Sequence, residues 1–148
     1  MKKKIFVLII AAIMLFSSIS VFAAEPVTVT LNGNPIEFDV PAQIINDRTM
    51  VPMRKIFESL GATVDWVEQQ QGIIATKDSK IIVMKIGSDL MIVSDISAGT
   101  QEEITLDVPP QIVGDRTLVP VRAISESLGV TVDWVAETQT VVLTKLKN

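Results

Sequence analysis

The chain has 148 residues, a formal net charge of −4 and no histidine, cysteine or tyrosine. The missing histidine and cysteine exclude a Ser-His-Asp triad, a thiol nucleophile and imidazole metal ligands. Without a cluster of lysines or arginines beyond the first few residues, the sequence carries no electrostatic footprint for nucleic acid or anionic lipid. Because no disulfide can form, folding stability must come from packing.

The first 23 residues predict a secretory signal peptide. Lysines near the N-terminus precede an apolar run from Ile5 to Phe16 and a short region that ends at Ala23. Val21 and Ala23 suit a cleavage site, so we expect a secreted mature chain of residues 24–148. The alternative is an uncleaved membrane anchor, but an apolar run of about 12 residues is shorter than the ~20 that span a bilayer.

Most of the remaining chain contains one pattern twice. Residues 39–77 align without a gap with residues 107–145, at a constant displacement of 68 positions, and 24 of the 39 aligned positions are identical. Identity of that extent indicates an internal duplication. We therefore expect two pseudo-repeats, at about 27–77 and 90–145, that form one domain over residues 24–148.

Both copies contain the run Asp-Arg-Thr-x-Val-Pro-x-Arg-x-Ile-x-Glu-Ser-Leu-Gly, followed by Thr-Val-Asp-Trp. This motif resembles the repeat of the copper amine oxidase N-terminal domain-like family, also called the stalk domain family, found mainly in secreted proteins of Gram-positive-type bacteria. The resemblance covers essentially the whole chain after the leader, and implies an α+β module of antiparallel strands wrapped on a helix. It does not imply amine oxidase activity, because that enzyme needs histidine ligands for copper and a tyrosine that becomes its quinone cofactor.

Alternating apolar and polar residues predict the strands. In the first copy, Val27–Leu31 and Ile36–Val40 flank the hairpin signal Asn32-Gly33. In the second copy the corresponding hairpin is Leu90–Val93 with Glu103–Val108. Further strands follow each helix: Thr63–Val67, Ile73–Thr76, Thr131–Val135 and Val141–Thr144. The segment Lys80–Ile86 has no counterpart in the second copy, and we expect it to join the two halves into one compact unit.

Each copy also predicts one short helix. Pro52 suits the first turn, Gly61 suits the position after the end, and the helix between them would be about nine residues long. Its apolar face has helical spacing and consists of Met53, Ile56, Phe57 and Leu60. The second copy has Val121, Ile124 and Leu128 on this face, with Ser125 in place of Phe57. That difference predicts that the two halves do not pack identically.

Carboxylates that recur in both copies are the candidates for catalysis, since glycoside hydrolysis needs two of them close together. They are Asp47, Glu58, Asp65, Asp115, Glu126 and Asp133. A small polysaccharide-acting hydrolase is therefore the alternative function. The structural interpretation, which we favour, makes the first Asp of each motif a turn former and pairs each Glu with an arginine four residues earlier, Arg54 or Arg122.

Two further recurring residues allow a structural and a ligand-binding interpretation. Arg48 and Arg116 could grip a carboxylate or phosphate, or could fix their own turn to a strand carbonyl or a nearby Asp. Trp66 and Trp134 could stack on sugars of a cell-wall polymer. Their parity with the neighbouring valines favours burial of both indoles in the core.

The sequence predicts no metal site and no cofactor. Asp89 with Asp95, or Glu102 with Glu103, could offer oxygens to Ca²⁺, but no spacing matches a calcium loop. We expect a secreted, non-enzymatic protein at the cell surface that binds a wall polymer or a surface protein. Since the last predicted strand lies near the end of this sequence, we expect a self-contained module rather than a spacer. Exposed edge strands would also permit a homodimer.

Overall fold

A computed structural model describes residues 26–147, so the predicted signal peptide at 1–23 lies outside the described residues. The described chain consists mainly of β-strands in three sheets, with two short helices. It agrees with the predicted α+β class, with more strand than helix. Among residues 26–147, no helix has the length and apolar character needed to cross a membrane.

The strands in chain order are β1 Thr28–Leu31, β2 Asn34–Pro35, β3 Gln43–Ile45, β4 Arg48–Pro52, β5 Thr63–Val67, β6 Gly72–Lys77, β7 Lys80–Lys85, β8 Leu90–Asp95, β9 Thr100–Thr105, β10 Gln111–Val113, β11 Arg116–Pro120, β12 Val130–Val135 and β13 Thr140–Lys145. The helices are α1 Met53–Ser59 and α2 Val121–Ser127. The sheets have the orders β10-β11-β4-β3, β5-β6-β7-β8-β9 and β12-β13-β1-β2.

The central sheet joins the two copies. Strands β4 and β11 are antiparallel, with Val51 opposite Val119, and both side chains are fully buried. These two valines are equivalent positions of the duplication, so the pairing is centred on an approximate twofold axis between them. The copies therefore share one continuous sheet, a point that the sequence left open.

The two outer sheets are completed by different parts of the chain. In the first copy, strands β7, β8 and β9 extend the hairpin β5–β6, so Lys80–Lys85 lies inside this sheet. In the second copy, β1 adds to β13 in parallel, with Val29 opposite Val141. The first strand of the first copy thus completes the sheet of the second. The Lys80 Nζ also donates to the carbonyl of Ser127, 3.2 Å away at the end of α2.

The Asn32-Gly33 hairpin is confirmed, and both residues have positive φ, as the favoured two-residue turn requires. The strand predicted at Ile36–Val40 is wrong, because the strand after the turn stops at Pro35. Proline cannot donate to a ladder, and the Asp39 carboxylate accepts from the Val40 N–H at 2.9 Å. In the second copy the predicted strand Glu103–Val108 is also shifted, because β9 ends at Thr105.

The predicted apolar helix face is confirmed, although each helix has seven residues rather than about nine. Met53, Ile56, Phe57 and Leu60 are all buried in the core. In the second copy Ser125 lies at the position of Phe57, fully buried, and its Oγ has no hydrogen-bond partner among the described residues. The two helices therefore present the same backbone to the sheets with different side-chain volumes.

Candidate functional site

Two arginines of the recurring motif cross from one copy to the other. The Arg48 Nε and Nη2 both donate to Oδ2 of Asp107, at 2.9 and 2.6 Å. The Arg116 Nε donates to Oδ2 of Asp39 at 2.7 Å, and its Nη2 lies 2.6 Å from the same oxygen. Asp39 and Asp107 are equivalent positions, so the two ion pairs are related by the approximate twofold axis.

These contacts favour the structural interpretation of the arginines. Each guanidinium also donates through Nη1 to the preceding carbonyl, that of Asp47 at 3.1 Å or of Asp115 at 3.3 Å. The hydrogen bond from Arg116 holds the pKa of Asp39 below its usual value, and the same bond raises the pKa of Arg116. The turn before each helix is thus tied to an aspartate of the opposite copy.

The second pair of arginines connects each helix to the strand that follows it. The Arg122 Nη1 donates to Glu126 Oε1 at 3.1 Å and to the Val132 carbonyl at 3.0 Å. The Arg54 Nη1 lies 3.9 Å from the Glu58 carboxylate and donates to the Val64 carbonyl at 3.5 Å. The predicted pairing of Glu with Arg four residues earlier is therefore confirmed in both copies.

The recurring residues of opposite copies meet in two open grooves. The Trp66 groove, with a volume of about 890 Å³, is lined by Arg54, Glu58 and Trp66 of the first copy and by Asp115 and Arg116 of the second. The Trp134 groove, of about 590 Å³, is lined by Asp47 and Arg48 of the first copy and by Arg122 and Trp134 of the second. Of the other candidates, Glu126 lines an adjoining cavity of about 430 Å³, and Asp65 is exposed on β5.

The sequence did not reveal that each groove is built by both copies, nor did it identify several of the lining residues. Ile44 and Ile112 are half exposed at equivalent places in the two grooves. Asp39 and Asp107 receive the crossing arginines and also line the grooves. The two aspartates lie within the duplicated segment and are identical in both copies, which is the signal that could have identified them.

The tryptophans differ between the grooves. Trp66 is half-buried against the core, and its Nε1 donates to Glu68 Oε2 at 2.6 Å. Trp134 is 42% exposed. The position equivalent to Glu68 is Ala136, which offers the second indole no side-chain acceptor. The prediction of two core indoles is therefore wrong for Trp134 and holds only in part for Trp66.

Strand parity is the same for both tryptophans and does not account for this difference. Val64 and Val132 lie on the same faces as the tryptophans and are buried, so parity identified the correct face. Parity does not set how far the core extends along a strand. On this face of β12 the core covers Val132 but not Trp134, two residues further along the strand.

The candidate carboxylates do not form the enclosed pair that a glycosidase uses. All six are exposed, whereas a general acid of this kind is set in an apolar pocket that excludes water. In the Trp66 groove the nearby Asp39 has its pKa lowered by Arg116, the opposite of what a general acid requires. Among residues 26–147, no group of three or more acidic side chains comes together to hold a metal ion.

A family model described as the copper amine oxidase N-terminal domain matches residues 30–143, a range that contains both grooves. No curated protein matches the chain. The N-terminal domain of this family is not catalytic. With no histidine or tyrosine in the sequence, the chain cannot build the copper and quinone site of the enzyme from which the family takes its description.

Proposed function

Because the chain belongs to the copper amine oxidase N-terminal domain family, we propose that it is a secreted, non-catalytic binding and structural module of the cell surface. One observation carries the proposal: residues that recur in both copies meet in two open grooves at the junction of the copies. Such grooves offer polar and aromatic groups to a large ligand and lack the enclosure that catalysis needs. The predicted leader at 1–23 supports export.

The contacts that cross between the two copies suit a protein that must remain folded outside the cell without disulfides. A continuous central sheet, the parallel addition of β1 to β13 and two crossing ion pairs hold the two pseudo-repeats together as one unit. These contacts involve residues far apart in the chain, so opening one half disturbs the other. The resulting scaffold presents both grooves at fixed positions.

A wall polymer or a surface protein is the proposed partner, because an acidic chain without a basic patch does not suit nucleic acid or anionic lipid. A homodimer through an exposed edge strand is a further proposal. Strand β9 forms one edge of the five-stranded sheet, but Glu102 and Glu103 lie on it and charged side chains oppose edge pairing. The grooves are therefore the preferred binding surface.

Export is tested by expressing the full chain in a Gram-positive host and separating the medium, wall, membrane and cytoplasm. We expect the protein in the wall or medium, with a new N-terminus at Ala24 by mass spectrometry. The variant Leu15→Arg places a charge in the apolar run of the leader and should hold the chain in the cell. An intact N-terminus and a cytoplasmic location for the unchanged chain would overturn the proposal.

Binding is tested by co-sedimentation of the exported chain with isolated walls at low and high salt. Retention above that of an unrelated acidic protein is the expected result. The same samples should show no new reducing ends, because a non-catalytic module releases no sugar. Release of reducing ends that stops on Glu58→Gln or Glu126→Gln would instead support the hydrolase.

A further inference from the structure

We propose that the Trp134 groove, and not the Trp66 groove, binds a neutral sugar ring of a glycan by stacking on the indole of Trp134. This inference rests on the proposed surface function and names the ligand class of that module. It makes the duplicated protein a single-site binder, although each copy supplies a groove.

The indole of Trp134 is available to a ligand, whereas that of Trp66 is already engaged. The Trp134 side chain is 42% exposed and its neighbour at the position of Glu68 is Ala136. The Trp66 Nε1 is held by Glu68 at 2.6 Å, and the ring packs against the core. A flat apolar face with a free N–H at its edge is the surface on which a sugar ring stacks and hydrogen-bonds.

A hydrogen-bond acceptor from the first copy lies in the same groove as the exposed ring. Asp47 lines the Trp134 groove, and its carboxylate accepts no hydrogen bond from another side chain of the described residues. An ionised carboxylate accepts two or more hydrogen bonds, so it can receive the hydroxyls of one sugar. The groove volume of about 590 Å³ lies within the roughly 300–1,000 Å³ of small-ligand sites.

Charge distinguishes a neutral glycan from an anionic polymer. The arginines of the Trp134 groove are paired, Arg48 with Asp107 and Arg122 with Glu126, which leaves the carboxylate of Asp47 unopposed. A phosphate- or carboxylate-bearing chain would therefore be repelled. Binding of a neutral ring involves no ion pair, so its affinity should change little with salt.

The Trp66 groove is less suitable because it contains more charged groups. Glu37, Lys55 and Glu68 line it, and the equivalent positions of the second copy are Thr105, Ala123 and Ala136. Covering these three charged groups costs more hydration than covering the single Asp47 carboxylate, and one oxygen of Glu68 already accepts from Trp66 Nε1. The Trp66 groove is thus a matched control within the same molecule.

The test uses calorimetric titration of the full mature-length chain with two neutral probes, chitotetraose and cellotetraose. We expect saturable binding of at least one probe, unchanged by added salt. Trp134→Ala should raise the Kd about tenfold or more, as expected for loss of an aromatic anchor, whereas Trp66→Ala should change it less than about twofold. Circular dichroism of each variant checks that the fold is retained.

A second pair of variants leaves both indoles in place. Ala136→Glu adds the acceptor that engages Trp66 in the first copy, and it should weaken sugar binding at Trp134 about tenfold. Glu68→Ala is the matched change in the other groove and should not weaken binding. Equal losses from Ala136→Glu and Glu68→Ala would contradict the assignment to a single groove.

The outcomes separate this inference from the proposed function. Wall retention that survives Trp134→Ala, with no binding of any probe, would overturn the sugar site and leave the surface module standing. Absence of both wall retention and probe binding would overturn both. If Trp134 becomes protected from acrylamide quenching merely on raising the protein concentration, a second copy occupies the groove and the glycan assignment is wrong.

Discussion

The two copies have similar backbones and differ in which side chains are buried and which are exposed. Beneath the first helix Phe57 fills the core, whereas the second helix buries the small polar Ser125. At the surface Trp66 is engaged by Glu68, whereas Trp134 lies open beside Ala136. The crossed ion pairs and the central strand pairing are the same in both copies. The shared residues thus make the contacts that join the copies, while the differing residues change the core and the exposure of one indole.

The largest expected difference between the copies concerns the core beneath α1. Phe57→Ala should lower the free energy of unfolding by about 3–5 kcal/mol, because it leaves a cavity where a fully buried ring stood. Urea unfolding followed by circular dichroism measures this loss. Lys55→Ala, an exposed change on the same helix, should alter stability by less than about 0.5 kcal/mol. A loss below about 1 kcal/mol for Phe57→Ala would show that this core can collapse around the gap.

At the equivalent position of the second copy, Ser125, truncation to alanine should raise stability rather than lower it. Ser125→Ala should raise the free energy of unfolding by about 1–3 kcal/mol, because it removes a buried hydroxyl that has no partner among the described residues. Ser127→Ala is the control, since the Ser127 Oγ donates to the Ala123 carbonyl at 2.7 Å. That control should bring no such gain. Destabilisation by Ser125→Ala would mean that its hydroxyl is satisfied in solution.

We expect the two crossing ion pairs to contribute equally to the stability of the protein. Asp107→Asn and Asp39→Asn should each lower the urea midpoint slightly and to a similar extent, because both pairs lie at the surface where water and salt weaken them. Repeating the measurement in 1 M NaCl should reduce both effects. A clearly larger drop in the urea midpoint for one variant would show that the two ion pairs are not equivalent.

A smaller effect is expected in the hairpin β8–β9, which belongs to the second copy in sequence but extends the sheet of the first copy. Hydrogen bonds from the hydroxyls of Ser97 and Ser79 and from the N–H of Ala98 lower the pKa of Asp95 to about 2, from an ordinary value of 3.8. Because the folded pKa is the lower one, this contribution to stability is present above pH 3.8 and is lost as the pH falls towards 2.

Asp95→Asn retains an acceptor oxygen but does not titrate, so its stability should fall less steeply than that of the unchanged chain between about pH 4 and pH 2. Unfolding midpoints measured across this range test the expectation. Asp133→Asn, at an exposed carboxylate outside this hairpin, serves as control. Parallel curves for Asp95→Asn and the unchanged chain would contradict the hydrogen-bonded state of Asp95.

The smallest expected effect on stability comes from replacing the tryptophans, which should mainly change the fluorescence of the protein. The chain contains two tryptophans, so Trp66→Phe and Trp134→Phe each leave one reporter. Trp134 alone should emit at longer wavelength and be quenched more by acrylamide, because its ring is the more exposed. Adding Glu68→Ala to the Trp134→Phe chain should reduce the difference in emission and quenching between the two tryptophans, because it releases the Trp66 N–H. Equal quenching in the two single-tryptophan chains would remove the contrast between the grooves.

Local patterns predicted local structure well. The helical spacing of Met53, Ile56, Phe57 and Leu60 identified a buried face, because that spacing alone places side chains on one side of a helix. The Asn32-Gly33 pair identified a hairpin turn, because few other residues adopt positive φ readily. The strand expected at 36–40 failed because alternation is necessary for a strand but does not supply the partner that its backbone needs.

The candidate site was only partly predictable. Arg48 and Trp134 were identified as residues of interest, but their meeting in one groove depends on how two distant segments pack. The bond from Arg48 to Asp107 spans 59 positions, and no local periodicity encodes such a partner. Strand parity within one copy predicted that Trp134 is buried. It could not show where the core ends along β12, because that depends on residues packed from elsewhere in the chain.

Composition and side-chain periodicity thus specified the kind of fold and the side-chain types it contains, because these properties follow from residue type and spacing alone. Tertiary packing decided the rest. The central pairing of β4 with β11, the parallel addition of β1 to β13 and the exposure of one indole all depend on contacts between residues far apart in the chain. Identical motifs received different environments because their surroundings, rather than the motifs, set burial and hydrogen bonding.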